Sequence, residues 1–444
     1  MQARFNSSHT VTDLSRSWRH RNVSETTVTF VAAVLIGLAC GLGAFLVKRT
    51  IRYISLFAVS GMRTDGSNWR FLVLPLIGIT LAYLYTRYVA RRPLAHGTEQ
   101  VRGVLASQSY RMPVALTYQP LLANALTLGF GSSAGAEGPI AFAGAAMGSG
   151  FARLFNLSPA TMRILVGVGA GAGIAAIFKA PVGGMLFTLE VLAMELTTLS
   201  VFVLITAGLV AGLTSFALLG MDFSFAYTTR SDFFDTHWVI PVLALGIFCG
   251  FYSLYYSGTA GAMKKWMQSR RNPWVAVITS GLFASVLLFV FPSLYGEGYP
   301  SMVRIFHNDP MAIVDNGPFY GLITGPWSII LIAGGIALVK GAVTAAVNNG
   351  GGVAGKFAPT LFAGCMVGLF FAGIANFIPG VQLAVPSYAF IAMAGIMAGT
   401  IRAPFMAIFL TSEMSGDFGL FLPSVVVAFI SYGIVVFFTR KKSK

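Results

Sequence analysis

Glu137 is the only charged residue in the stretch GAEGPIAFAGAAMG, residues 135–148. A carboxylate among glycines, alanines and aliphatics has two chemical uses. It can change protonation state, and it can occupy a place built to receive an anion. The plainer alternative is a buried residue paired with a neighbouring cation. Lys356 in NNGGGVAGKFAP and His96 in LAHGTEQ also carry chemistry in unusual company. An ammonium or a ring N–H beside a partly dehydrated anion would donate to it. Lys356 could instead snorkel from a helix end to water, and His96 could be an ordinary loop residue. Glu190 and Glu413 close the related segments KAPVGGMLFTLE and RAPFMAIFLTSE. They read as structural carboxylates meeting nearby backbone or cations. Cys40, Cys249 and Cys365 are scattered, without a CxxC or metal-ligand spacing, and read as core fillers. No metal and no cofactor is expected.

The elements that must position these residues are membrane helices. Of 444 residues, 56% are hydrophobic and only 10% charged, where a soluble chain carries roughly a quarter. About ten apolar stretches approach or exceed the ~20 residues that cross a bilayer as helix. The clearest are 28–47, 71–90, 199–220, 239–257, 274–292 and 421–439. Fifty glycines suit close packing between such helices. The composition predicts an all-α polytopic membrane protein of one large helical domain.

The net charge of +15 does not point to nucleic acid. Its basic residues cluster beside the ends of apolar spans, at Arg16–Arg21, Arg87–Arg92, Lys264–Arg271 and Arg440–Lys444, as cytoplasmic loops require. Lys48, Arg49 and Arg52 fit that rule poorly. The excess charge also meets lipid headgroups and can raise the local anion concentration. The polar N-terminus lacks a cleavable signal pattern, so the first span is expected to be retained. With so little sequence after the last span, no cytoplasmic regulatory domain is expected there.

The chain repeats itself. GAEGPIAFAGAAMG at 135–148 matches GKFAPTLFAGCMVG at 355–368, and KAPVGGMLFTLE at 179–190 matches RAPFMAIFLTSE at 402–413. Two motifs recurring in one order at nearly one offset divide the chain into halves 28–220 and 239–439. A segment 1–27 precedes them, 221–238 connects them, and 440–444 is a short basic tail. Repeat-built membrane proteins place the substrate at the repeat interface near the midplane, facing interrupted helices. Here glycine and proline break the helices. The segment after each proline starts afresh with free N–H groups and a positive dipole end that favour an anion. Glycine-rich loops at that depth must line a protein-walled cavity.

Together GAEGP, GKFAP, the KAP and RAP segments, YGEGY at 295–299 and SEMSGDF at 412–418 resemble the CLC chloride channel and transporter family. The likeness covers nearly the whole chain, with the motifs in the family's order, and is of the prokaryotic type without CBS domains. It implies a CLC-type inverted two-fold repeat with broken helices meeting at a midplane anion site. It implies a homodimer in the cell (inner) membrane, both termini cytoplasmic, with one pathway per subunit for chloride or a similar small anion. Glu137 falls on the gate, whose carboxylate occupies the outer anion site and swings away when protonated or displaced. The anion-binding positions fall on His96, Gly97, Gly138, Lys356, Phe357, Ala358 and Phe418.

Several positions depart from the family's pattern. His96 stands for the serine of the G-S-G-I-P loop and Phe418 for the central tyrosine, so both hydroxyl donors are missing. Ala136 stands where a basic residue usually precedes the gate, and Lys356 where an aliphatic is usual, as if one charge had moved between half-sites. Val191 stands where proton-coupled exchangers commonly carry a second glutamate. That leans toward passive conduction, with a proton-coupled Cl⁻/H⁺ antiporter as the alternative. A membrane enzyme is disfavoured: GVGAGAGIAA at 167–176 looks like a dinucleotide loop but has no preceding strand and no acidic partner. A cation-coupled carrier would want more carboxylates within the spans.

Overall fold

The computed structural model describes residues 24–62, 66–94, 97–107, 109–195, 197–220, 225, 238–323 and 325–440. Within them nine helices are long and apolar enough to cross a membrane. The first half opens with α1 (Glu25–Val59), then α2 (Leu74–Leu84), extended by a π turn over Tyr85–Ala90, and α3 (Gly97–Ala106). It continues with α4 (Gln119–Gly129), α5 (Glu137–Leu154), α6 (Pro159–Phe178), the short α7 (Pro181–Leu186) and α8 (Thr198–Leu219). The second half holds α9 (Val239–Gln268), α10 (Pro273–Val290), α11 (Tyr299–Phe306) and α12 (Pro326–Asn349). It ends with α13 (Phe357–Ala375), α14 (Val385–Ile401), α15 (Pro404–Ser415) and α16 (Phe421–Arg440). The expected spans are present. α1 and α9, at 35 and 30 residues, exceed what a bilayer core requires and so run past it or tilt.

The repeated motifs start and stop equivalent elements. α5 begins at Glu137 and α13 at Phe357. α6 ends at Lys179 and α14 at Arg402, both in the left-handed region (φ 56° and 63°). A proline then opens α7 and α15, its missing N–H costing nothing at a helix start. The two repeats touch where their glycine loops run side by side. Gly135 and Gly355 form an antiparallel bridge, with N–H···O distances of 3.3 and 2.6 Å.

Glu190 and Glu413 carry the symmetry further. The Glu413 carboxylate accepts from the Val182 and Gly183 amides at 3.0 and 2.7 Å. The Glu190 carboxylate accepts from the equivalent amides of Phe405 and Met406 at 3.2 and 2.6 Å. Each glutamate thus caps the helix of the other repeat, satisfying N–H groups that have no intrahelical partner. The structural reading of both residues holds.

GVGAGAGIAA lies inside α6, where its glycines serve packing. A Cβ on Gly144 or Gly169 would overlap the other's carbonyl, so α5 and α6 touch backbone to backbone. The three cysteines are buried and unbridged. Of the connecting segment 221–238 only Phe225 and Trp238 are described. Phe225 bonds its amide to the Met414 carbonyl at 3.0 Å and packs on Tyr299 and Phe306.

Candidate anion site

Glu137 is fully buried at the first position of α5. Its Oε1 accepts from the amide of Phe357, the first residue of α13, and the Ala358 amide faces the same carboxylate. Its Oε2 has no partner among the described residues. A Cβ on Gly135 or Gly355 would overlap this carboxylate, so only glycine leaves room for it at either loop. Neither half-helix start is capped by its own side chain. α13 offers its first amides to Glu137. On the other side, the Ala136 amide donates to Glu297 Oε1 at 3.0 Å. Two carboxylates of the protein therefore occupy the positive ends that the sequence assigned to an anion.

Side chains around the two loops hold this arrangement. Asn124 donates to the Gly135 and Val353 carbonyls at 3.2 and 2.9 Å, tying both glycine loops to α4. Lys340 on α12 is fully buried, donates to Ser133 Oγ at 2.7 Å and lies 4.5 Å from the Phe362 ring centre. Glu297 feels Lys48 and Lys340, and Lys340 also feels Glu137. Lys340 on α12 thus faces both carboxylates and Lys48 on α1 faces Glu297, although Ala136 itself carries no charge.

Beside the carboxylate lies a cavity of about 100 Å³ lined by Gly97, Glu99, Arg102, Gly138, Val191 and Lys356 among others. A Cβ on Gly97 would overlap the Gly138 carbonyl, so that position admits only glycine, and one on Gly138 would press on the Gly355 backbone. Lys356 is exposed to this cavity and to a neighbouring one of about 230 Å³ that also holds Tyr256 and Thr344. Val191 is buried at the end of a π turn, Phe187–Val191, and its carbonyl accepts from Arg102 Nε at 2.5 Å. The Phe357 ring packs edge-on against Phe187.

Of the sequence-assigned residues, the structure gathers Glu137, Gly97, Gly138, Lys356, Phe357 and Ala358. It does not bring Phe418 to them. The Ser415–Gly419 turn, held by Asp417 Oδ1 accepting from Gly419 at 2.7 Å, sends Phe418 outward, where it is 55% exposed beside Phe421. The assignment of Phe418 to the central anion is corrected on that ground. His96 lies outside the described residues. Lys340, Arg102, Tyr256 and Glu297 were not singled out in the sequence. For Lys340 a signal existed: it is the one charged residue in its apolar span.

An all-helical polytopic membrane fold with a buried carboxylate on facing half-helix starts defines a class of anion-handling membrane proteins. The sequence profile described as "Voltage gated chloride channel" matches residues 77–436. The chain belongs to this CLC family of anion channels and transporters, which are not enzymes. It is 28% identical over 412 residues to the voltage-gated ClC-type chloride channel ClcB of Salmonella typhi, covering 89% of this chain and 93% of that one. Its fold resembles a slow cyanobacterial Cl⁻/H⁺ antiporter (TM-score 0.76, 23% identity, 92% and 94% covered). It also resembles a CLC-type fluoride/proton antiporter (TM-score 0.75, 21% identity, 96% of both chains).

Proposed function

We propose that the chain conducts chloride passively through an inverted-repeat pathway gated by Glu137. The observation that carries this reading is the Glu137 carboxylate seated on the first amides of α13. A carboxylate there mimics the transported anion; protonation removes its charge and frees the amides for chloride. Gly97, Gly138, Lys356, Phe357 and Ala358 bind the anion, His96 supplies a further ring N–H, and the basic residues of the cavity draw it in. The chain works as a homodimer with one pathway per subunit, in the cell membrane with both termini cytoplasmic.

Passive conduction rests on Val191. Its side chain neither donates nor accepts a proton, and the Arg102 guanidinium beside it repels one. A specific feature favours the antiporter alternative. Tyr256 lines the cavity beside Thr344, whose hydroxyl donates to the Ser133 carbonyl at 3.1 Å. The Tyr256 and Thr344 hydroxyls both donate and accept, so they supply a proton step from this cavity without a second glutamate, whereas the Ser133 carbonyl only accepts. The experiment is chloride flux from purified protein in liposomes with proton movement recorded in parallel. A chloride gradient is expected to drive chloride and no uphill proton movement. Protons pumped at a fixed ratio would replace this reading with the antiporter, and Tyr256→Phe would then be the variant that stops the relay.

A further inference from the structure

A cavity of about 370 Å³ opens where the ends of α2 and α9 meet the glycine loop before α13, meeting the anion cavities at Asn348 and Asn349. Thr86, Arg270, Asn348, Asn349 and Gly350–Val353 line it, with Tyr83 at its edge. Four of its side-chain atoms are buried yet reach no hydrogen-bond partner among the described residues: Thr86 Oγ1, Arg270 Nε, Asn348 Oδ1 and Asn349 Oδ1. Buried polar groups are normally paired, so four unpaired ones around one space describe the complement of a ligand. Asn349 Nδ2 already donates to the Ala345 carbonyl at 2.8 Å, which leaves Oδ1 as its acceptor atom.

The set asks for two things. The arginine and the threonine hydroxyl offer donors suited to a phosphate oxygen. The asparagine oxygens ask for a donor carried by the same molecule. The surroundings suit a membrane surface: Arg87, Arg91, Arg92, Lys264, Lys265 and Arg271 flank the two helix ends. Trp266 is partly exposed and stacks on Arg270 at 4.2 Å, while Trp274 packs edge-on against Tyr83. Aromatic and basic residues together mark headgroup depth.

We propose that this cavity binds a phosphate group bearing a hydroxylated substituent, as in a phosphoglycerol headgroup, with Arg270 and Thr86 on the phosphate and Asn348 and Asn349 on the hydroxyls. The site has a consequence for the pathway. A Cβ on Gly351 would already press on Tyr83 and Val277, so the loop forms one wall of the cavity. Two residues on, Val353 is bonded to Thr127 and Asn124, and Gly355 pairs with Gly135 beside the gate. A ligand seated against Gly350–Gly352 steadies the loop that positions the α13 amides. This inference does not depend on whether the pathway is passive or proton-coupled.

The test is thermal unfolding of the purified full chain in detergent, titrated separately with short-chain phosphatidylglycerol, short-chain phosphatidylcholine and soluble glycerol phosphate. Phosphatidylglycerol is expected to raise the melting temperature saturably, and phosphatidylcholine, whose headgroup has no donor, much less. A matching rise with glycerol phosphate assigns the site to a soluble phosphate as well; a rise with the lipid alone assigns it to the membrane. Arg270→Gln should weaken the apparent affinity roughly tenfold or more, as loss of a charge-assisted bond does. Arg271→Gln removes the same charge outside the cavity and should leave the affinity unchanged. Thr86→Val, nearly the same shape, should weaken it several-fold and serves if Arg270→Gln does not fold. Equal shifts with both lipids, equal losses in the two arginine variants, or no saturable shift with any probe would overturn the proposal.

Discussion

Where α6 and α14 end, the two halves of the chain are nearly interchangeable. Lys179 and Arg402 both turn the backbone through the left-handed region, a proline follows at the next helix start, and Glu190 and Glu413 cap each other's repeats through equivalent amides. Where α5 and α13 begin, the halves differ. Glu137 stands opposite Phe357, and Ala136 opposite Lys356. Repetition therefore serves the scaffold, because two like frameworks aim two helix starts at one place. In the proposed pathway the asymmetry serves transport. One start carries the carboxylate, and the other carries the amides that donate to it.

The comparison breaks most visibly at Glu137. Glu137→Gln keeps the shape of the residue and removes its charge permanently, so chloride flux in liposomes should lose most of its pH dependence. Flux that keeps the wild-type pH response in both Glu137→Gln and Glu137→Ala would take this carboxylate out of the pathway. Lys356 is the next largest. Removing an ammonium that meets a partly dehydrated anion forfeits about 1.5–3 kcal/mol. Lys356→Met should then weaken chloride binding by calorimetry roughly tenfold or more. An affinity within about a factor of two of wild type would mean that the lysine serves water and not the anion.

Much of this asymmetry was readable before any coordinates, and the reason is local. A helix start after glycine and proline is written in adjacent residues, so Glu137 and Phe357 could be placed from GAEGP and GKFAP alone. The glutamate caps were legible in outline because the repeat set Glu190 and Glu413 in register. Their exchange of partners was not, since each capped amide lies more than two hundred residues away. Lys340 and Ser133, 207 residues apart, meet only through the packing of α12 on the site. Phe418 failed for the opposite reason. Its position in a motif was clear, but the turn around Asp417, not the motif, decides which way the ring faces.

The scaffold side of the comparison predicts equality. Glu190→Gln and Glu413→Gln each keep one acceptor for two capped amides, turn an NH2 donor toward the other amide, and lose the charge. Each should lower stability by about 1.5–3 kcal/mol, the worth of one charge-assisted bond. Denaturant unfolding of the two variants side by side measures this. A loss several times larger in one than in the other would show that its carboxylate does something besides capping.

The smallest effect tests where even the scaffold stops being symmetrical. Lys179 and Arg402 hold the left-handed conformation at a cost of about 1–2 kcal/mol to a residue with a Cβ, and glycine there regains that cost less about 0.5–1 kcal/mol of chain entropy. For Arg402, whose side chain is exposed and makes no hydrogen bond among the described residues, replacement by glycine should raise stability by about 0.5–1 kcal/mol. Lys179 is different. Its ammonium donates to the Gly220 carbonyl at 2.8 Å and sits 5.0 Å from the Phe216 ring centre. Losing that bond and the cation–π contact costs about 1.5–2 kcal/mol, more than the relieved strain returns. Lys179→Gly should thus lower stability by about 0.5–1 kcal/mol while Arg402→Gly raises it. A similar rise in both would mean that the lysine's contacts contribute nothing, and that the two turns are equivalent in energy as well as in shape; a fall in Arg402→Gly would mean that the turn carries no strain for glycine to relieve.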